Sequence, residues 1–276
     1  FYSCFGFQRI GDLIHAAADQ RARGFLLGAT AGRTTLSGEG LQHQDGTSHL
    51  WASTVPTCRA YDPCYGYELA VILQDGLRRI LEAREDLFYY VTVMNENYVH
   101  PALADAPVQP GGATVEEGIL RGMYLLRARP GASVQLLGSG TILREAIAAA
   151  DRLERDHGVA ANVWSVTSWT ELRWDGMTCA GASGAVREVR AGAGGGTSWA
   201  RQCLDATTGP LIAATDYVSA VPDLIRACVP QERRYVTLGT DGFGRSDTRA
   251  GLRAFFGVDA AHIVDAALAA LGRSAR

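Results

Sequence analysis

Lysine is missing altogether from this 276-residue chain: its 26 basic residues are all arginine, against 29 acids, for a formal net charge of -3. The arginine bias reads as GC-rich coding rather than as a binding signal. With charges so nearly balanced, no basic surface points to nucleic acid and no acidic block points to a solvating tail. A small or neutral partner fits better. Also lacking is any apolar run near the roughly 18 residues of a membrane span, and the charged start and small-residue cleavage site of a signal peptide. No membrane role is expected, and a cytoplasmic location is. The six cysteines, Cys4, Cys58, Cys64, Cys179, Cys203 and Cys228, form no C-x-x-C pair, and no histidine stands at metal-ligand spacing from one. Reduced thiols and no metal site follow. The opening Met is missing too; Phe1 begins inside an aromatic-rich segment, so the chain is expected to be truncated.

What is present is 47% hydrophobic, enough for two modest cores or one large one, and the length favours two domains. Phe7, Ile10, Leu13, Ile14, Ala17 and Ala18 recur at helical spacing in "FQRIGDLIHAAADQRA", and "GFLLGA" follows as a strand. Next come "CRAYDP" as a short strand, "CYGYELAVILQDGLRRILEA" as a long helix and "DLFYYVTVMN" as a buried strand. Further on, "SVQLLGSG", "ANVWSVTS", "GPLIAAT" and "RYVTLG" read as strands, while "TILREAIAAADRLERDHG", "YVSAVPDLIRACV" and two closing segments read as helices. Alternating helices and strands predict an α/β fold with parallel sheets. Three prolines and two adjacent glycines in "YVHPALADAPVQPGGATVEE" place a boundary there, giving one domain over 1–105, a linker over 106–117 and a second domain over 118–276. Residues 177 to 200 break the rhythm with small residues and read as a long, poorly packed loop.

Two glycine-rich turns invite a ligand reading and fail it. "GSGTIL" has Leu143 where a dinucleotide fingerprint needs its third glycine, and the next strand ends without an acid for a ribose. "GTDGFGRSD" lacks the oxygen ligands of a calcium loop and reads as a turn, with Ser246 or Asp247 capping a helix from near Thr248. "GEGLQHQDG" differs in kind. Glu39, His43, Asp45 and His49 follow a predicted parallel strand at the end where open α/β sheets place ligands, and a histidine there can exchange protons near neutral pH. Composition and spacing leave it evenly balanced between a site and a solvated loop.

The opening "FYSCFGFQRIGDLIHAAADQRARGFLLGATAGRTTLSGEGLQHQDGTSHL" resembles the middle domain of the homodimeric pyruvate dehydrogenase component of the 2-oxo acid dehydrogenase complex. The likeness continues through "YDPCYGYELAVILQDGL", "YYVTVMNENY", "LLGSGTILREAI", "SVTSWTEL" and "LGTDGFGRSDTR", and is more distant to transketolases. It implies the end of a pyrimidine-binding domain followed by a transketolase-like C-terminal domain. It also implies thiamine diphosphate and Mg2+ as cofactors, pyruvate as substrate, a lipoyl domain of the acetyltransferase component as partner, and a homodimer whose subunits share each site. By resemblance, Phe5 packs against the aminopyrimidine ring and Tyr2 hydrogen-bonds the substrate carboxylate. His43 stabilises or orients the reacting centre, Glu39 tunes that histidine, and Gly38, Gly40 and Gly46 let the loop turn sharply.

Three departures stand out. Nothing matches the Gly-Asp-Gly and downstream Asn pattern for magnesium and diphosphate, and the glutamate that activates the pyrimidine would lie upstream of Phe1, so the isolated chain is expected to be inactive. Thr47 replaces the second histidine of a "DGHSH" pattern. Residues 180 to 200 lose the likeness, which resumes at "QCLDATTGP". A compensated pair of frameshifts would produce such an Ala, Gly and Arg stretch. On that account, translating the nucleotide sequence in the other two frames restores a family-like segment; if neither frame does, the account is wrong.

Overall fold

Two continuous apolar runs seed two sheets. In "FYYVT" every residue of β3 (Phe88–Thr92) is buried, and in "VQLLG" so is every residue of β5 (Val134–Gly138). Strands covered on both faces read as such runs rather than as alternation. The computed structural model describes residues 1–38, 40–103, 107–181, 184 and 196–273. Helix α1 (Ser3–Asp19) leads to β1 (Gly24–Gly28), the glycine-rich loop, a short α2 (Ser48–Ala52), β2 (Cys58–Tyr61), α3 (Gly66–Leu77) and β3. These strands form a parallel three-stranded sheet in the order β1-β3-β2.

Then follow α4 (Val115–Arg121), β4 (Tyr124–Arg127), β5, α5 (Ile142–His157), β6 (Ala161–Ser165), α6 (Trp169–Cys179), α7 (Trp199–Asp205), β7 (Leu211–Ala214), α8 (Ala220–Asp223), β8 (Tyr235–Leu238), α9 (Arg249–Phe256) and α10 (Ala260–Ala270). The second sheet runs β4-β6-β5-β7-β8, parallel except for β4, which is antiparallel to β6. Successive residues of β5 face opposite ways. Leu136 packs with Ala146, Ala149 and Leu153 of α5 and Ile263 and Leu268 of α10, while Leu137 packs with Trp164, Trp199 and Tyr217. All six cysteines lie among the described residues, and all but Cys179 are buried.

The α/β reading holds, with differences in detail. Strand β4 and helix α6 were not anticipated. "YVSAVPDLIRACV" is not one helix, because Pro222 cannot continue the hydrogen-bond ladder; it breaks into α8 and a 3-10 turn, Arg226–Cys228. The cap of α9 is Thr248, whose hydroxyl accepts from Gly251 N, rather than Ser246 or Asp247. The expected loop over 177–200 falls largely on residues 182, 183 and 185–195, which lie outside the described residues; at its edges Cys179 ends α6 and Ser198 caps α7.

The two sheets meet at the ends where their parallel strands finish. Asp62, just after β2, receives a hydrogen bond at its carbonyl from Gly140 N and donates its own N–H to Thr167 O, after β6. Arg33 N donates to Asp216 O, after β7. The outer edge of β2 is closed as well, by the hydroxyls of Ser168 and Thr170 on Ala60 O. An unpaired strand edge invites association, and these side chains occupy one of its acceptors.

Glu68 ties the seam further. It is fully buried on α3, and its carboxylate accepts from Cys64 N (2.6 Å), Tyr65 N (2.9 Å), Tyr124 Oη (2.7 Å) and Ser165 Oγ (2.6 Å). Glu68→Ala strands four buried donors at once and is expected to lower stability by on the order of 3 kcal/mol or more. Urea unfolding checks this; a loss below about 1 kcal/mol would contradict the account.

Candidate active-site loop

The loop between β1 and α2 turns where its glycines are. Gly38 and Gly40 have φ of 89° and 65°, and Leu41 follows at 38°. A left-handed leucine carries strain, which persists only where surrounding contacts over-determine the backbone. Gly40 also meets its neighbours closely: a Cβ there would lie 2.8 Å from Ser246 Oγ and 3.0 Å from its N. Gly46 serves differently from expectation. Its φ is not positive, and it is bare because a Cβ would sit 2.2 Å from the Arg33 guanidinium.

Three of the four expected site residues come together. Tyr2 caps the start of α1 and is 42% exposed, its ring 5.8 Å from Phe5. Phe5, one turn into the helix, presents its ring to His43 edge-on at 5.3 Å, while Arg9 lies 3.9 Å from its centroid. His43 sits half-buried at the end of the 3-10 turn Leu41–His43. Glu39 lies outside the described residues.

Asp45 and His49 turn inward instead. Asp45 is buried and accepts from Thr47 N and Ser48 N (both 3.0 Å) and Ser48 Oγ (2.5 Å), closing the loop onto α2. His49 is 3% exposed, with Nε2 3.1 Å from Thr92 Oγ1 and its ring against Tyr217. Burial lowers its pKa to about 4, with Asp45 opposing, so it is neutral near pH 7. The threonine hydroxyl donates to Asp62 Oδ1 (2.7 Å), which also accepts from Tyr217 Oη (3.3 Å). Burial raises Asp62 to about 7. Asp62, Asp216, Arg33 and Gln44 went unnoticed in the sequence. The available signal was an acid directly after a strand, as in "RAYD" and "IAATD".

Comparison with known proteins adds identity to geometry. The model for the pyruvate dehydrogenase E1 component middle domain matches residues 1–101, and that for the transketolase-like TK C-terminal domain matches 122–259. The chain belongs to the pyruvate dehydrogenase E1 component family. It is 56% identical over 274 residues to the E1 component of Pseudomonas aeruginosa, covering 98% of this chain and 30% of that protein. With the Escherichia coli K12 component it shares 49% over 278 residues, covering 99% and 29%. The chain therefore spans under a third of the length of these relatives. Among solved structures it resembles Campylobacter jejuni transketolase (TM-score 0.65, 18% identity, 98% of this chain and 35% of that one). A structure titled as a split gene transketolase, inactive beta4 tetramer, gives 0.64 and 16%, covering 99% and 76%.

The buried pair in this E1-family chain has a measurable signature. Asp62 has a native pKa above its ordinary 3.8, so the native state keeps a proton the unfolded state has lost, and stability falls as pH rises from about 4 to about 7. His49 has a native pKa below its ordinary 6.5, so its contribution rises between about 4 and 6.5. The two slopes oppose each other. Asp62→Asn removes the falling one, so its stability relative to the parent should climb from pH 4 to pH 7, by up to about 1.4 kcal/mol per unit. Paired thermal melts across that range read the difference; a pH-independent offset would sink the assignment.

Proposed function

We propose that this chain forms the pyrimidine-side half of the active site in a thiamine-diphosphate-dependent pyruvate dehydrogenase, with residues 1–105 as pyrimidine-binding part, 106–117 as linker and 118–276 as C-terminal domain. The observation that carries the reading is the meeting of Tyr2, Phe5 and His43, drawn from two segments of chain that both lie past the C-terminal end of β1, around one edge-to-face ring contact. In the intact cytoplasmic enzyme the reaction would decarboxylate pyruvate and acetylate the lipoyl group of the acetyltransferase component, with homodimerisation completing each site.

Aromatic side chains such as Phe5 and Tyr2 suit contact with a flat heteroaromatic ring. The ligands of the diphosphate and Mg2+ are a separate matter: among the described residues no group of three or more His, Cys, Asp or Glu side chains is placed to hold a metal. Those ligands belong, on this reading, to the remainder of the enzyme. When bound, thiamine diphosphate supplies the electron sink for loss of carbon dioxide. The protein's own part is position and charge. The Tyr2 hydroxyl donates to the substrate carboxylate, and His43 holds or gives up a proton at a ring nitrogen facing the reacting group. Glu39 tunes that histidine.

A second reading makes the chain one subunit of a split enzyme or a non-catalytic dimerisation module, favoured by its coverage of most of the split transketolase subunit. Replacing His43 separates them. In the assembled full-length enzyme, His43→Ala should lower kcat at least tenfold, about 1.4 kcal/mol in barrier, with thiamine diphosphate affinity little changed. A loss well under tenfold would deny His43 a catalytic role. Titration calorimetry on the 276-residue chain should detect no thiamine diphosphate binding; micromolar binding would overturn the half-site assignment.

A further inference from the structure

Many of the hydrogen bonds that hold the loop carrying His43 come from the segments after β7 and β8. Asp216, fully buried after β7, accepts from Thr34 N (2.8 Å) and Thr34 Oγ1 (2.6 Å) at one oxygen, and from Thr35 N (3.0 Å) and Thr35 Oγ1 (2.8 Å) at the other. The Arg33 guanidinium donates to Thr240 O and Gly242 O, Ser246 Oγ donates to Gly38 O, and Val218 N donates to Gly46 O. Nearest the histidine is its neighbour, Gln44, 2% exposed. Its amide donates to Leu36 O (2.7 Å) and Arg245 O (2.9 Å) and accepts from Arg245 N (2.8 Å). Gly244 is bare beneath it, since a Cβ there would come 2.5 Å from Gln44 Oε1.

We propose that Gln44 and Asp216 are positioning residues for His43, through which the C-terminal domain sets the geometry of a site formed on the other domain. Adjacent residues leave the turn in opposite directions: Gln44 enters the 240–246 loop, and His43 meets Phe5. Fixing the first leaves the second one place to go. Neither residue touches the reacting centre. Both act through the loop backbone, Asp216 at its start and Gln44 at the histidine. Effective catalysis needs a group held within about 0.5 Å of its productive position, and a surface loop with a left-handed leucine would not hold it unaided.

The inference rests on the proposed role of His43, and two readouts keep the two apart. In the full-length enzyme with thiamine diphosphate, Mg2+ and pyruvate, Gln44→Ala should lower kcat at least tenfold while KM for pyruvate stays within about threefold. In the same protein without cofactor, the rate and pH dependence of His43 modification by diethyl pyrocarbonate, read by peptide mass spectrometry, should shift. Leu268→Ala, a core cavity in α10, serves as the stability control: it should lower Tm at least as much and leave kcat and His43 reactivity as in the parent. Should Gln44→Ala fail to fold, Asp216→Asn, which keeps the shape and turns one acceptor into a donor against a backbone N–H, carries the same expectation. A Gln44→Ala enzyme with kcat within twofold and unchanged His43 reactivity overturns the proposal. If the parent enzyme decarboxylates no pyruvate, the functional reading fails, and the reactivity measurement alone decides on positioning.

Discussion

A buried carboxylate at the end of a strand is the constraint from which the loop's local sequence follows. Taking Asp216 out of water costs several kcal/mol unless its oxygens are satisfied, and burial raises its pKa accordingly. Four donors from Thr34 and Thr35 meet that demand, and hydrogen bonds to a charged acceptor contribute about 1.5–3 kcal/mol each. The geometry leaves no room beside it. Gly32 has φ of 87° and lacks a side chain because a Cβ would fall 2.3 Å from Asp216 Oδ2. Arg33 then carries the chain past Asp216, its guanidinium turned onto two carbonyls of the opposite loop and pressed against Gly46. "AGRTT" is thus the imprint of one acid from the other end of the chain.

The rest of the seam is polar for a related reason. Asp62, Thr92, His49 and Tyr217 form a connected buried set, and Glu68 joins α3 to β4 and β6. Apolar surfaces of similar area would hold two sheets together in several registers, whereas a buried donor paired with one acceptor tolerates a single docking geometry. Helix α4 shows that the chain boundary is not the packing boundary. It opens the second half of the sequence, yet Ile119 packs against Ile72 and Tyr61 of the first.

How much of this was legible depended on whether the signal was local. Continuous apolar runs marked β3 and β5, because a strand buried on both faces needs no partner to be recognised. The periodic alanines of α5 did the same. Strand β4 was missed because "YLLR" is short and lies on a sheet edge, its meaning set by β6 forty residues later. In the loop, glycines and a histidine pointed to a site, and family resemblance chose His43, Tyr2 and Phe5, whose meeting is a matter of three-dimensional contact. Asp45 and His49 had equal claims by composition. Only their burial separates them: His49 packs against Thr92 and Tyr217, distant in sequence, and Asp45 turns onto Thr47 and Ser48. Gln44 was invisible for the same reason: nothing in "LQHQDG" distinguishes its two glutamines, yet Gln44 is clamped and Gln42 is exposed.

This arrangement changes when the cost of ordering the site is met. Fixing a backbone residue costs roughly 1–2 kcal/mol, so a free loop over residues 29 to 47 would have to be ordered by ligand, at the expense of affinity. Here its hydrogen bonds run to segments that follow strands of the second sheet, with Asp216 and Thr240 among them buried, so much of the ordering accompanies the docking of the two sheets. In the enzyme proposed above, a substrate arriving at His43 would meet a formed surface, leaving its binding energy for the chemistry. The same coupling carries a liability. Because many of the loop's hydrogen bonds cross the seam, a loosening at Asp216 would reach the histidine before it is felt as global unfolding, since local openings draw on the least supported segments first. The site is as rigid as the interface beneath it, and no more.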